Sequence, residues 1–160
     1  MTDYLALCLN LKGGQLSQWA NYNFNSMVKI GNQYVGAGED GLMKLETGDF
    51  DNSSIIEAFF ELITSDWGIP AQKRIRSMYV GYETNGDLTM TVKDDDGKSI
   101  VFTLRPNHAD NEQHGVKLPG WHKGKGRYYM FRVDNVNGSD FSFDSMMVLP
   151  IILHRKPSGA

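Results

Sequence analysis

Residues 78–104 read MYVGYETNGDLTMTVKDDDGKSIVFTL, and their periodicity decides the fold. Met78–Tyr82 is a short strand, Asn85-Gly86 is a turn pair, and Leu88, Met90 and Val92 alternate with polar residues along the next strand. Asp94-Asp95-Asp96-Gly97 turns the chain again before Ile100, Phe102 and Leu104. Strict period-two alternation between Gly-containing turns predicts an antiparallel meander of three strands with one buried face.

The pattern continues toward the C-terminus. A polar loop is expected from Pro106 to Gly126. Tyr129, Phe131 and Val133 then fall on one face of a strand, opposite Tyr128, Met130 and Arg132. Large groups on both faces place that strand centrally in a sheet or against a partner. Ser145–Leu153 reads as a last apolar strand, with Pro150 suited to an edge or bulge.

Toward the N-terminus, Leu5, Leu7, Leu9 and Leu11 alternate into a turn at Lys12-Gly13-Gly14-Gln15. Gly31-Asn32 and Asp40-Gly41 mark two further hairpins, so residues 4–46 form a meander of four or five short strands, comparable to one propeller blade. Such a unit cannot bury both faces alone and should lean on the rest of the chain or on a neighbour. Residues 54–64 fit two patterns. Ile56, Phe59, Phe60 and Ile63 lie on one helical face behind a Ser54/Glu57 capping box, while Ile56, Ala58, Phe60 and Leu62 alternate as a strand. The aromatic and β-branched content and the surrounding strands favour the strand. The expected fold is therefore an all-β antiparallel β-sandwich (51–160) with an N-terminal blade-like β-meander (1–50) packed on it.

Composition narrows the function classes. The 160 residues carry a net charge of -3, which provides no global basic field for nucleic acid or anionic lipid. Cys8 is the only cysteine, so no internal disulfide can form. MTDYLALCLNL lacks a basic n-region, which predicts no secretory signal, and no apolar run approaches the length of a membrane helix.

Apparent chemical motifs have plainer readings. Gly36, Gly38 and Gly41 spell G-x-G-x-x-G, but no amphipathic helix follows to receive a pyrophosphate, so a glycine-rich hairpin is expected. Asp94–Asp96 lacks the alternate spacing and distal glutamate of a calcium loop and reads as a solvated hairpin tip. His108, His114, His122 and His154 lack zinc spacing, and Cys8 lies in an alternating strand as a small hydrophobe. No G-x-S-x-G is present. The sequence thus predicts no catalytic residue, no cofactor and no metal.

The strongest local anomaly is Lys117–Arg132. Lys117, Lys123, Lys125, Arg127 and Arg132 occur without an acid until Asp134, interleaved with Trp121, Tyr128 and Tyr129. Basic groups with aromatics could bind phosphates and bases, or make a protein interface, or form a charged loop leading into a core strand. The acidic remainder ranks the interface first and nucleic acid last. Trp121, Lys123, Lys125, Arg127, Tyr128 and Arg132 are the candidate interface residues.

Residues 73–104 together with 123–156, KGKGRYYMFRVDNVNGSDFSFDSMMVLPIILHRK, resemble small virion structural proteins of tailed bacteriophages. The shared pattern is a strand, a basic glycine-containing loop, an Arg-aromatic-x-x-Phe strand, an Asn-x-Asp-Gly-like turn and a final apolar strand ending in basic residues. Arg127, Tyr128, Phe131, Asn137-Gly138, Phe141 and His154-Arg155-Lys156 occupy those places. Residues 11–45 resemble the blade-like opening of the same proteins, and the chain is also similar to the β-rich end of podovirus tail-hub proteins. Ser139 between Gly138 and Asp140, and a short histidine-containing HKGKGR, depart from the pattern. The resemblance implies a non-enzymatic component of the tail tip, hub or fibre attachment, assembled in the host cytoplasm and bound to other tail proteins and to copies of itself. The alternative is a carbohydrate-binding β-sandwich in which Trp19, Trp67 or Trp121 stacks on a host glycan.

Overall fold

In the computed structural model the described residues are 4–45, 48, 50–51, 54–106 and 112–153, without the side chains of 51, 112–115, 122 and 123. Every regular element among them is a strand, and every pairing is antiparallel. The chain divides into two units, Met1–Gly48 and Asp49–Ala160.

The first unit holds five strands. Strands β1 (Leu5–Leu9) and β2 (Leu16–Ala20) form a hairpin, while β3 (Ser26–Ile30), β4 (Gln33–Gly38) and β5 (Gly41–Leu45) form a separate three-stranded sheet. The single blade-like meander is thus two sheets. Ile30 pairs with Gln33, so Gly31-Asn32 is a two-residue turn. Gly31 supplies the positive φ of +61° that the first position of a II′ turn requires. The second turn is Glu39-Asp40, with Gly41 opening β5 opposite Gly38. The G-x-G-x-x-G glycines therefore shape a hairpin. A Cβ at Gly36 would press within 2.6 Å of the Phe24 ring, so glycine here admits an aromatic face. Phe24 in turn meets Tyr22 edge-on at 5.0 Å, and Tyr22 meets Trp19 at 5.6 Å.

The second unit begins with the two-residue strands β6 (Phe50–Asp51) and β7 (Ser54–Ile55), which pair with each other. Strand β8 (Phe59–Ser65) follows, so the ambiguous segment is extended from Phe59 onward. Strands β9 (Lys73–Thr84), β10 (Leu88–Asp94), β11 (Ser99–Leu104), β12 (Glu112–Gly126), β13 (Tyr129–Asn135) and β14 (Phe141–Ile152) complete it. They build one sheet of order β11-β10-β13-β8 and another of order β12-β9-β14. The inner faces share one core. Ile75, Met78, Val80, Tyr82, Leu118 and Trp121 come from the three-stranded sheet, and Leu88, Met90, Val92, Phe102, Leu104, Tyr129, Phe131 and Val133 from the other. This is a β-sandwich closed by apolar burial between two layers.

Two expectations are corrected. Strands β9, β10 and β11 are not one meander, because β9 pairs with β12 and β14 whereas β10 pairs with β11 and β13. Neither Asn85 nor Gly86 adopts the positive φ of a tight Asn-Gly hairpin, and the pair crosses between sheets. Facing each other across the core lets Met78, Val80 and Tyr82 bury against Leu88, Met90 and Val92. A hairpin would have set them side by side on one face. The Thr84 hydroxyl fixes the corner, 2.8 Å from Gly86 O and 3.1 Å from Asp140 O, while Asp140 N donates to Asn85 Oδ1 at 2.9 Å. The Asn-Gly pair that does adopt the mirror turn is Asn137-Gly138, with φ of 54° and 77° and a Ser139 N to Val136 O bond of 3.2 Å.

The second correction is the polar loop over 106–126, most of which is β12. This edge strand tolerates Pro119 and shifts register between Gln113 and Val116 and again between Trp121 and Gly126. Those irregularities break the alternation that would have revealed it. A Cβ at Gly120 would collide with the Arg76 carbonyl, so glycine permits the two backbones to close.

Other expectations hold. Asp94–Lys98 forms the β10–β11 turn, with Asp94 N donating to Lys98 O and Gly97 at φ +79°; Asp95 and Asp96 are exposed as a solvated tip requires, but Asp94 is not, being 5 % exposed with its Oδ1 accepting from Lys98 N. Strand β13 is central, its Tyr129, Phe131 and Val133 buried. Pro150 sits at a register shift in the edge strand β14.

Candidate protein interface

The basic and aromatic residues of 117–132 do not form one surface. Trp121 is 6 % exposed and lies in the core, its ring edge-to-face with Tyr129 at 6.4 Å and 74°. Gly124 lies against the indole, where a Cβ would come within 2.4 Å of the ring. The expectation of Trp121 as a contact anchor is therefore corrected: the alternation of β12 breaks at Pro119-Gly120, so Leu118 and Trp121, three residues apart, are both buried. Lys125, Arg127 and Tyr128 are exposed. Lys123 lies on β12, and its side chain is outside the described residues. Arg132 is on the opposite sheet's outer face, where its Nε and Nη2 bond Asp134 at 2.7–3.0 Å and its guanidinium covers the Phe59 ring at 3.8 Å. The Asp134 carboxylate holds this arginine still more firmly protonated. Arg132 is thus a bidentate, stacked surface group spent within its own sheet.

Polar groups at this end of the sandwich serve structure. Lys73 has no exposed surface, and its Nζ donates to Ile69 O at 2.8 Å and to Arg127 O, 5.4 Å from the Trp67 ring. Burial pushes its pKa below the ordinary lysine value despite Asp66 and Asp95. The Tyr129 hydroxyl donates to Lys73 O at 2.7 Å and accepts from Gly126 N at 3.0 Å. Burial raises its pKa, as it does that of Tyr82, whose hydroxyl donates to Arg105 O at 2.9 Å. Trp67 holds φ at +54°, a strained conformation for a bulky residue, and its ring stacks on Tyr129 at 5.2 Å and 11°. Arg127 enters this set through its backbone, its N–H donating to Asp95 Oδ2 at 3.2 Å.

The surfaces best suited to contact lie elsewhere. In the first unit Gly36 is the one buried residue among those described, so no apolar side chain there is buried. Leu5, Leu7 and Leu9 line one face of β1, all more than half exposed, with Leu16 beside Leu9 across the hairpin. Met27, Val28, Ile30 and Leu42 are equally open on the neighbouring sheet. In the sandwich, Phe59 and Ile63 of β8 and Met147, Leu149 and Ile151 of β14 face solvent. An open groove between these two edge strands is lined by Phe60, Leu62, Phe143 and Met146. Sequence alternation marked Leu5, Leu7 and Leu9, and Phe60 and Leu62, as apolar faces; nothing in it said that no second layer would cover them.

Among the described residues no three His, Cys, Asp or Glu side chains are placed to hold a metal ion. His108 and the His154-Arg155-Lys156 tail lie outside the described residues. In comparisons with known proteins, the chain matches no family model, no curated protein and no solved structure.

Proposed function

We propose that this chain is a non-enzymatic structural component of a tailed-phage virion, placed in the tail tip, hub or fibre-attachment region. It acts through contacts with copies of itself and with other tail proteins, and assembles in the host cytoplasm. The observation that carries the adhesive role is the first unit, whose described residues form five strands with no buried apolar side chain among them. Strands of this kind are marginal alone, and contiguous exposed apolar surface marks a contact site. The tail assignment rests on the resemblance of residues 73–104 and 123–156 to small virion proteins. Deleting the gene should yield particles with incomplete tails in negative-stain micrographs, restored by complementation. Intact, infectious particles from the deletion would refute the proposal.

The carbohydrate-binding reading keeps one supporting feature, a small cleft lined by Tyr4, Tyr22, Asn23, Phe24, Asn25 and Glu39. Two of its three candidate stacking residues are already engaged: Trp121 is buried and Trp67 packs on Tyr129 and Phe131. Saturable binding of host polysaccharide to the isolated chain, lost in Trp19→Ala, would favour it.

A further inference from the structure

We propose that β14 is a self-pairing edge, along which a second copy of this chain adds antiparallel about a two-fold axis near Met147. This deepens the assembly reading above and rests on it.

The edges of the sandwich are unequally guarded. Register shifts interrupt both edges, at Gln113/Val116 and Trp121/Gly126 in β12 and at Phe143/Ser145 and Leu149/Pro150 in β14, but β12 also carries Lys117, Pro119 and Lys125, devices that discourage a further strand. Strand β14 runs 12 residues along the other edge of the same sheet and carries one charge, Asp144. Its Pro150 blocks only the far end. Leu153 N donates to Gln72 O on the inner side, so by alternation Pro150 turns its missing donor toward the open edge. Ser145–Leu149 is left as an unblocked ladder with Met147 and Leu149 exposed on its outer face.

Charge identifies the occupant. The outer face of this sheet is basic at the end where exposed Arg74 and Arg76 flank β14 beside Ile151. It is acidic at the opposite end, where Glu83 and Asp144 are exposed. Antiparallel pairing of two identical edges sets the acidic end of each copy against the basic end of the other; parallel pairing would oppose like with like. With Met147 on the axis, Asp144 of one copy falls opposite Pro150 of the other, whose partner on β9 is Ile75, with the exposed Arg74 and Arg76 on either side of it. The apolar stripe of Met147, Leu149 and Ile151 then continues across the junction, an isologous arrangement.

Sedimentation velocity on the full chain, from low to high micromolar concentration, should show a reversible dimer. Met147→Lys and Leu149→Lys, both at exposed positions, should each weaken it by about tenfold or more, with the far-UV spectrum unchanged. Asp144→Lys and Arg74→Glu should each weaken it, and the double variant should recover most of the loss. Amides of 145–149 should exchange more slowly at high concentration in the wild type only. A chain monomeric throughout, lysine variants that dimerise like the wild type, or a charge swap without recovery would each overturn the inference. A dimer that responds as described while the chain is absent from virions would retire the tail assignment alone. A chain present in virions with an unresponsive β14 would retire this contact alone.

Discussion

Replacing Trp121 with alanine separates a core residue from a contact anchor. The indole is 6 % exposed, lies in the core with Leu118, and packs edge-to-face on Tyr129 and against Gly124. An aromatic side chain of this size buries roughly 150–250 Å². At about 25 cal/mol per Å² that corresponds to ~4–6 kcal/mol as an upper bound, in line with the ~3–5 kcal/mol usual for Phe or Trp to Ala. Against a total stability of about 5–15 kcal/mol, the loss takes a large share and lowers the melting temperature by on the order of 10 °C or more. Tyr128→Ala, at a ring that is 45 % exposed, should cost less than ~1 kcal/mol. Urea denaturation followed by tyrosine fluorescence and far-UV dichroism measures both. Equal stability of Trp121→Ala and the wild type, within about 0.5 kcal/mol, would refute the packing described here and return Trp121 to the surface.

Three further outcomes are expected. Gly120→Ala should disrupt the β12–β9 ladder because the new methyl meets the Arg76 carbonyl, and hydrogen exchange should show faster exchange in 116–121 first. Stability should climb as pH rises between the lowered folded pKa of Lys73 and the ordinary lysine value, since there the unfolded chain holds a proton the folded chain has released. Above the ordinary tyrosine value it should fall, because unfolded Tyr82 and Tyr129 ionise while their folded forms keep the proton; Lys73→Met should remove the climb and leave the fall, as read from denaturation midpoints across alkaline pH. Arg132→Ala should cost less than ~1 kcal/mol, because its ion pair with Asp134 is partly exposed, and that cost should shrink in high salt in the same denaturation assay.

The sandwich was legible wherever alternation was unbroken. Leu88, Met90, Val92, Phe102, Leu104, Phe131 and Val133 declared their inward face, and Asp94–Gly97 declared its turn. Sheet membership was not legible, because an Asn-Gly pair reads the same at a hairpin and at a crossover; the φ at Asn85 and Gly86 depends on whether β9 and β10 pair or face each other. Strand β12 was hidden because its glycines, Pro119 and lysines are those of a loop, and they become a strand only when β9 supplies the ladder. The same hidden strand misassigned Trp121, whose burial follows from register rather than from residue type. The apolar alternation of β1 and the continuous apolar run of β14 were visible, but neither says whether the chain itself covers the apolar residues.

Mass spectrometry of density-purified particles tests the central claim most directly. Peptides of this chain should co-purify with the virion at a fixed integer ratio to the other tail proteins. Recovery of the chain only from the soluble fraction of the lysate, with none in the particles, would contradict it.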